Sequence, residues 1–598
     1  MQRSLARRYA PLAALAAVQL LVIALAPSRA PDDPGFTQFA TGPNGAQQFD
    51  GTGSGDGTGN DFSTGDGSDF SSDGTGGTGG TAGGGGTTGT GGTTGGGGGG
   101  GGTTGGGGGG AVDGGGGGGQ PAGDTSHCVD GRQFNPAITF HAPPCTPKFQ
   151  GDNGGATYQG VSADEVLIID YVGKGSDAVD TILKAQGAFV ELEQRRAYNA
   201  AVMDFVNANF ELYGRTFRIE IFQGNCDTIP PNNRCLRNEM RQIVKDKKPY
   251  FFKWNSSLSS ETYDELSRLG TPNAGGWHFR DSFHQVRRPF HWDVQMSGTK
   301  VAQHVAEWYC KQLSGPTEYA GTANSLQNFN GQPRVLGVIS TNDPENQAMV
   351  EVDLRKALGG CGKQIAKTYF YAQDITTADQ QRRAAVTRMR DDPTATTVLC
   401  LCDLVAPMFL YAEEQQQNYY PENLIGGFGF MDADQAAQAY MGQVACPLKG
   451  SRPCNFEDAF GISSITAQEP ENKDAGARVW QAAGREGNPP YNSVTGDWDY
   501  WNMIASLIQG AGPTLHPGTM EAGAFAQGFR GGGNTGQIRR GFSEGNYTWN
   551  QDMRVVYWST TKPSSRNGVA GTYVQVGGSR IDLGKYPNSS LQIPAKPR

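Results

Sequence analysis

The chain has 598 residues, of which 90 are Gly and 18% are charged, and its formal net charge is −9. No cluster of cations stands out beyond Arg287-Arg288 and Lys245-Asp246-Lys247-Lys248. That balance argues against a nucleic-acid partner, whose phosphates are held by grouped Lys and Arg.

The first residues read as an export signal. Arg3, Arg7 and Arg8 give a positive start, residues 12–26 form an uncharged apolar run, and Ser28-Arg29-Ala30 offers the small residues of a cleavage site. Pro27 and Pro31 stand directly after the two candidate cleavage points, where proline is poorly accepted. Residues 1–30 are therefore read as a signal peptide that is removed or as a membrane anchor, through residues 10–26, that stays. The apolar core is a little short of the ~20 residues of a full span. No Cys follows it closely, which disfavours a lipid anchor.

Residues 31–126 are predicted as a disordered Gly-rich linker. Of the 90 glycines, 43 lie in residues 31–130. Gly loses the most backbone entropy on ordering and brings no side chain to bury. A flexible linker of ~95 residues reaches about 50–60 Å on average. It is read as a spacer, or as a tether crossing a cell-wall layer. G-x-G-x-x-G matches within it carry no meaning, since polyglycine matches any such pattern.

The ten cysteines all lie beyond the linker, and in an exported chain they predict disulfides. Three pairs are close in sequence: Cys128 with Cys145, Cys226 with Cys235, and Cys446 with Cys454. Of the rest, Cys310 is paired with Cys361, because one ends a helix and the other opens a strand one unit later. Cys400 and Cys402 stay open. Their C-x-C spacing lacks a second C-x-x-C and a nearby His, so it does not read as a metal site.

From residue 160 strands and helices alternate. Residues 166–171 are a β-branched strand, 186–210 a helix, 216–222 a strand, 234–247 an amphipathic helix, and 249–254 a buried strand. Ser259 or Ser260 caps a helix over 261–269. A loop-rich aromatic stretch, 277–292, follows. The rhythm restarts with a helix over 300–313, then strand 334–340, helix 346–358, strand 363–371, helix 377–390, strand 396–401, helix 407–416 and strand 424–430. Helices over 472–484 and 498–510 come next, then an alternating strand over 547–558. The tail from 562 reads as surface strands or loop. Two such series imply two α/β lobes with parallel sheets.

The segment Gly160-Val161-Ser162-Ala163-Asp164-Glu165-Val166-Leu167-Ile168-Ile169 resembles the first strand of type 1 periplasmic binding proteins, the branched-chain amino-acid and amide receptors of ABC transporters. The order of later elements is similar: a Ser loop over 255–260 after the third strand, Val335-Leu336-Gly337-Val338-Ile339 leading to Asn342-Asp343-Pro344, a late helix with Trp498-Asp499-Tyr500-Trp501, and a last strand over 553–558. The resemblance covers about residues 160–560. It implies two Rossmann-like lobes joined by hinge crossovers: a Cys-containing lead-in over 127–160, lobe 1 over 161–300 with about 460–548 returning to it, and lobe 2 over 301–459 with about 549–598 returning to it. The chain departs from the family pattern where Pro344-Glu345-Asn346 follows Asp343, in the length of 277–292, and in the insertion that carries Cys446 and Cys454.

Ligands of parallel α/β sheets sit beyond the carboxyl ends of the strands. In lobe 1 the candidates are residues 173–176, Asn225, Ser256, Ser257, Ser259, Ser260 and Trp277. Hydroxyls and free N–H groups at a helix start suit a carboxylate, and the resemblance implies that this loop holds one; the plain alternative is helix capping. In lobe 2 the candidates are Asn342, Asp343, Asp403 and Asp432, where a carboxylate would meet an ammonium or hydroxyl, with Phe428 and Trp277 as apolar walls. His278, His284 and His291, with Asp281 and Asp293, fit no compact metal-ligand spacing. No G-x-S-x-G, H-E-x-x-H or Walker motif is present. The chain is thus expected to be a non-enzymatic, extracytoplasmic receptor for a small amino-acid- or amide-like solute, with an ABC permease as partner and no cofactor or metal. A tethered sensor or structural envelope module and a wall-associated hydrolase are the alternatives.

Overall fold

The structure is a computed structural model, and it describes residues 123–591 and 593, apart from 178–179, 182–183, 185–188, 255–258, 321–328, 375, 404–405, 429–430, 441–455 and 457–458. The signal or anchor segment and nearly all of the glycine linker, Ser256, Ser257, and the Cys446–Cys454 pairing lie outside the described residues.

The first sheet contains β1 (Glu165–Lys174), β2 (Thr216–Asp227), β3 (Phe251–Trp254), β4 (Asn273–Ala274) and β5 (His291–Trp292), in the order β2-β1-β3-β4-β5. All its pairings are parallel, with Ile168 opposite Ile219 on one side and Phe251 on the other. Helices cover both faces, so Val166–Ile169 of β1 is an unbroken apolar run, followed by the buried Asp170. Its alternation still sorts the side chains. Val166 and Ile168 join a core with Phe205 of α1 (Leu192–Asn209) and Trp498 and Trp501 of α11 (Val494–Ala511). Leu167, Ile169 and Tyr171 face Leu236 and Met240 of α2 (Asn233–Lys247) and Tyr263 of α3 (Ser260–Arg268). The helix expected from 186 begins at Leu192, where Glu191 and Gln194 close a capping box. The lead-in packs on this lobe: Phe134 meets Phe205 edge-on at 5.2 Å, and the ring Nε2 of His141 bonds the Ile538 carbonyl at 2.8 Å.

The second sheet holds β6 (Leu336–Thr341), β7 (Ile365–Tyr371), β8 (Thr397–Leu401), β9 (Glu422–Gly426), β10 (Phe460–Ser463), β11 (Asp552–Pro563) and β12 (Ala570–Asp582), in the order β12-β11-β10-β9-β8-β6-β7. It is parallel from β10 to β7, and β11 pairs antiparallel with both β10 and β12. Val338 and Leu399 pack on Val305 and Trp308 of α5 (Gly298–Gln312). Val398 and Cys400 face Val386 and Met389 of α7 (Ala378–Arg390). Between β6 and β7 runs α6, in three helical segments over Pro344–Ala348, Met349–Leu354 and Arg355–Gly359, the middle one π-helical. After β8 comes α8 (Ala406–Gln416), and after β9 comes α9 (Asp434–Tyr440).

The chain passes between the lobes after β5, after β10 and before β11. Helices α10 (Ala475–Ala482), α11 and α12 (Pro517–Ala526) belong to the first lobe's core. Two of the passages run side by side: Trp549 N–H donates to the Asp293 carbonyl at 2.8 Å and Asn550 N–H to that of Val294 at 3.0 Å. Residues 547–551, expected as the start of a strand, form this crossing, and β11 begins at Asp552. α4 (Asp281–Val286) gives the aromatic stretch 277–292 a helical turn. Disulfides join Cys128 to Cys145, Cys226 to Cys235, Cys310 to Cys361, and Cys400 to Cys402, with Cα–Cα separations of 5.8, 5.6, 6.2 and 5.2 Å. Among the described residues no helix is long and apolar enough to cross a membrane.

Candidate functional site: a cavity between the lobes

Because both sheets are parallel, their carboxyl ends carry the loops that meet between the lobes. There the ends of β1 and β2 and the start of α1 face the end of β7 and the helices α7 and α8 across a cavity of about 840 Å³. That is the size range of small-molecule sites. Phe189, Trp277 and Phe409 supply apolar wall, and Gln223, Asn225, Gln373 and Gln381 supply amides. The indole N–H of Trp277 has no hydrogen-bond partner.

The floor on the first-lobe side is a buried charge cluster. Lys253 Nζ lies 2.8 Å from Asp497 and 3.3 Å from Asp170. Arg195, which lines the cavity, places Nη1 3.5 Å from Asp497 and 3.6 Å from Asp170. Asn199 donates to Asp170 at 2.6 Å and the Tyr491 hydroxyl to Asp497 at 2.7 Å. Burial alone would raise the Asp497 carboxyl; Lys253 and Arg195 outweigh it and hold it well below the usual range. Burial likewise opposes the charge on Arg195, and Asp497 and Asp170 reverse that, so its pKa is raised. Two cations and two carboxylates thus close on each other, leaving the cavity a firm polar floor.

On the second-lobe side Asp403 follows β8. Its Oδ1 accepts the Ala406 N–H at 2.9 Å and its Oδ2 the Gln373 amide at 3.3 Å. Arg382 reaches the wall from α7, paired with Asp379 and with Glu413 at 3.5 Å.

Of the residues singled out from sequence, Gly173, Lys174, Gly175, Asn225, Trp277 and Asp403 meet at this cavity. Ser259, Ser260, Asn342, Asp343, Phe428 and Asp432 lie outside its lining. Ser259 does not cap α3 with its side chain; its hydroxyl donates to Asn233 at 2.5 Å. The Ser260 N–H donates to Asp343 Oδ2 at 3.3 Å, while Asp343 Oδ1 accepts the Glu345 N–H at 2.9 Å. A carboxylate of the second lobe therefore already sits at the start of α3. Asn342 is held by its backbone, through Tyr371 and Gln347. Phe428 is buried behind Trp277, stacked on His278 at 4.4 Å, so it belongs to the core and not to the cavity wall. Asp432 is buried and accepts the Ser464 N–H at 2.9 Å.

Sequence reading missed Arg195, Asp180, Glu191, Phe189, Arg382 and Phe409. These residues lie at or near helix starts or on helices, and a search confined to loops after strands passes over them. His284 and His291 stack at 4.7 Å inside the first lobe. Among the described residues no group of three or more His, Cys, Asp or Glu side chains is placed to hold a metal.

No protein-family model and no curated protein matches the chain. Solved structures similar to it are solute-binding proteins of ABC transporters, of the type 1, branched-chain amino-acid binding family. A solute-binding protein from R. palustris in complex with 4-hydroxybenzoate is 10% identical, with 71% of this chain and 98% of that one covered and a TM-score of 0.47. A branched-chain amino-acid ABC transporter protein from Thermus thermophilus with bound valine is 12% identical, with 70% and 97% covered and a TM-score of 0.47. A leucine-, isoleucine-, valine-, threonine- and alanine-binding protein from Brucella ovis is 10% identical, with 71% and 98% covered and a TM-score of 0.45.

Proposed function

We propose that the chain is an extracytoplasmic receptor that captures a small polar solute, amino-acid- or amide-like, between its lobes for an ABC-type importer in the membrane. The observation that carries this reading is the position of the cavity, at the facing carboxyl edges of two parallel sheets joined by three chain passages. Such an arrangement binds by bringing lobes together, so that a membrane partner reads occupancy from shape. The cavity joins apolar wall to amide groups, which suits a small solute with both polar and apolar parts. In this reading residues 1–30 export or anchor the chain and the glycine linker keeps the receptor near its permease.

A thermal-shift screen of amino acids, amides, amines and small aromatic acids tests it. A binder should raise the melting temperature of the protein and fail to do so for Ala406→Trp, which fills the cavity from α8. If no compound of the panel shifts the melting temperature, the receptor reading is dropped.

A further inference from the structure

Resting on the receptor reading, one more step concerns the charge of the solute: we infer that the cavity takes a cationic solute, with an ammonium or guanidinium head seated against Glu191, Asp180 and the face of Phe189, and that the Lys184 side chain is a tethered occupant of that seat.

The buried cations of the wall are not available to an anion: Arg195 is turned to Asp170 and Asp497, and Arg382 to Asp379 and Glu413. Lys174 stands at the exposed rim, beside Asp227 at 3.3 Å. The wall also carries five carboxylates, Asp177, Asp180, Glu191, Asp374 and Asp403, so the net field inside favours a positive guest. Asp180 packs against Gly175, where a Cβ would collide with its carboxylate. Its pKa is raised by burial and by Asp177 and Glu191, against the pull of Lys184. A cation beside it relieves that repulsion.

The seat already holds an ammonium. Lys184 Nζ lies 4.3 Å from the centroid of the Phe189 ring and 3.9 Å from Glu191 Oε1. An aromatic face with a carboxylate beside it is the environment that recognises ammonium groups. The Lys184 side chain is 56% exposed, and exposed ion pairs contribute little, so a solute head displaces it at small cost. Outside the cavity, the Ser260 N–H at the start of α3, a group that suits a carboxylate, is held by Asp343 from the other lobe.

The test is calorimetric titration of the full-length chain with two probes of one skeleton, 2-phenylethylammonium and phenylacetate. The amine should bind at least about tenfold more tightly. Lys184→Met should tighten amine binding about threefold or more by removing the tethered competitor. Glu191→Gln, which keeps the capping geometry of α1, and Asp180→Asn should each weaken it by a similar factor. Phenylacetate binding as tightly as the amine overturns the charge assignment while leaving the receptor reading intact. Unchanged amine affinity in Lys184→Met overturns the tethered occupant. If neither probe binds but other panel compounds do, cations among them support the inference and anions overturn it. If nothing in the panel binds, the receptor reading falls, and this inference with it.

Discussion

Asp343 of the second lobe accepts the backbone N–H of Ser260 in the first at 3.3 Å, and with its other oxygen the N–H of Glu345 at 2.9 Å. One side chain thus ends two helices in different lobes. Burial raises its pKa, and these N–H donors oppose that. Close by, the Arg280 guanidinium, just before α4, pairs with Asp353 of α6 at 2.8 Å, a second contact between the lobes.

Asp343→Asn separates the two roles. Asn remains a good cap for α6 but loses the charge that faces the start of α3. The expected cost is about 0.5–1.5 kcal/mol in urea denaturation. Asp343→Ala should cost about 1 kcal/mol more, because both helix starts then lose their acceptor.

The cluster of Asp170, Arg195, Lys253 and Asp497 gives a larger prediction. Removing one partner of a buried ion pair leaves a charge without compensation. Lys253→Met should therefore cost about 3–5 kcal/mol. The double variant Lys253→Met with Asp497→Asn should recover part of that loss, since charge balance with Arg195 and Asp170 is restored. Denaturation of both variants and of Asp497→Asn alone checks this; a double-variant loss equal to the sum of the two single losses would show that Lys253 and Asp497 are not coupled.

The alternation of strands and helices was legible because each lobe obeys the simplest periodicities: Val166 and Ile168 to one core, Leu167 and Ile169 to the other. The charge cluster was not read, although Asp170 within Val-Leu-Ile-Ile-Asp-Tyr and Lys253 within Phe-Phe-Lys-Trp are its trace in the sequence. A lone charge inside a buried strand needs an opposite charge, although its partner Asp497 lies 244 residues from Lys253 and no local pattern names it. α12 was not read because Pro-Gly-Thr-Met-Glu-Ala-Gly-Ala has weak helix propensity; it is held by packing, with Gly523 lying against Gly510 of α11. The cavity residues were read in part. Strand-end loops gave Asn225 and Asp403, whereas Arg195 and Arg382 enter from helices whose facing depends on the lobes meeting.

The Cys310–Cys361 bridge ties α5 to the turn after α6 across 51 residues. A loop of that length restricts the unfolded chain enough to contribute about 4 kcal/mol in the chain-entropy account. The Cys226–Cys235 bridge spans 9 residues and should contribute less. Replacing each pair by Ala and comparing urea midpoints tests the ordering.

Acid should weaken the protein before ordinary carboxylates are titrated. Burial lowers His278 to about 4, His284 to about 3 and His304 to about 4, against an unfolded value near 6.5. Between those values the unfolded chain binds protons that the folded chain refuses. The stability from these neutral rings is therefore complete above pH 6.5 and is lost as pH falls toward 4. Asp293 works the other way. Burial raises it to about 6, so its contribution is present at low pH and is lost as pH rises through 6. Burial lowers His141 and His291 as well, and it raises Asp343, Glu345 and Asp552 alongside Asp293. The five histidines, whose unfolded value lies inside the window, leave a net fall in melting temperature from pH 7 to pH 5. His284 carries the clearest share, since it is fully buried and stacks on His291. His284→Phe should flatten the slope between pH 6.5 and 5 by up to about 1.4 kcal/mol per pH unit. An unchanged slope would mean that His284 does not titrate on unfolding in this window.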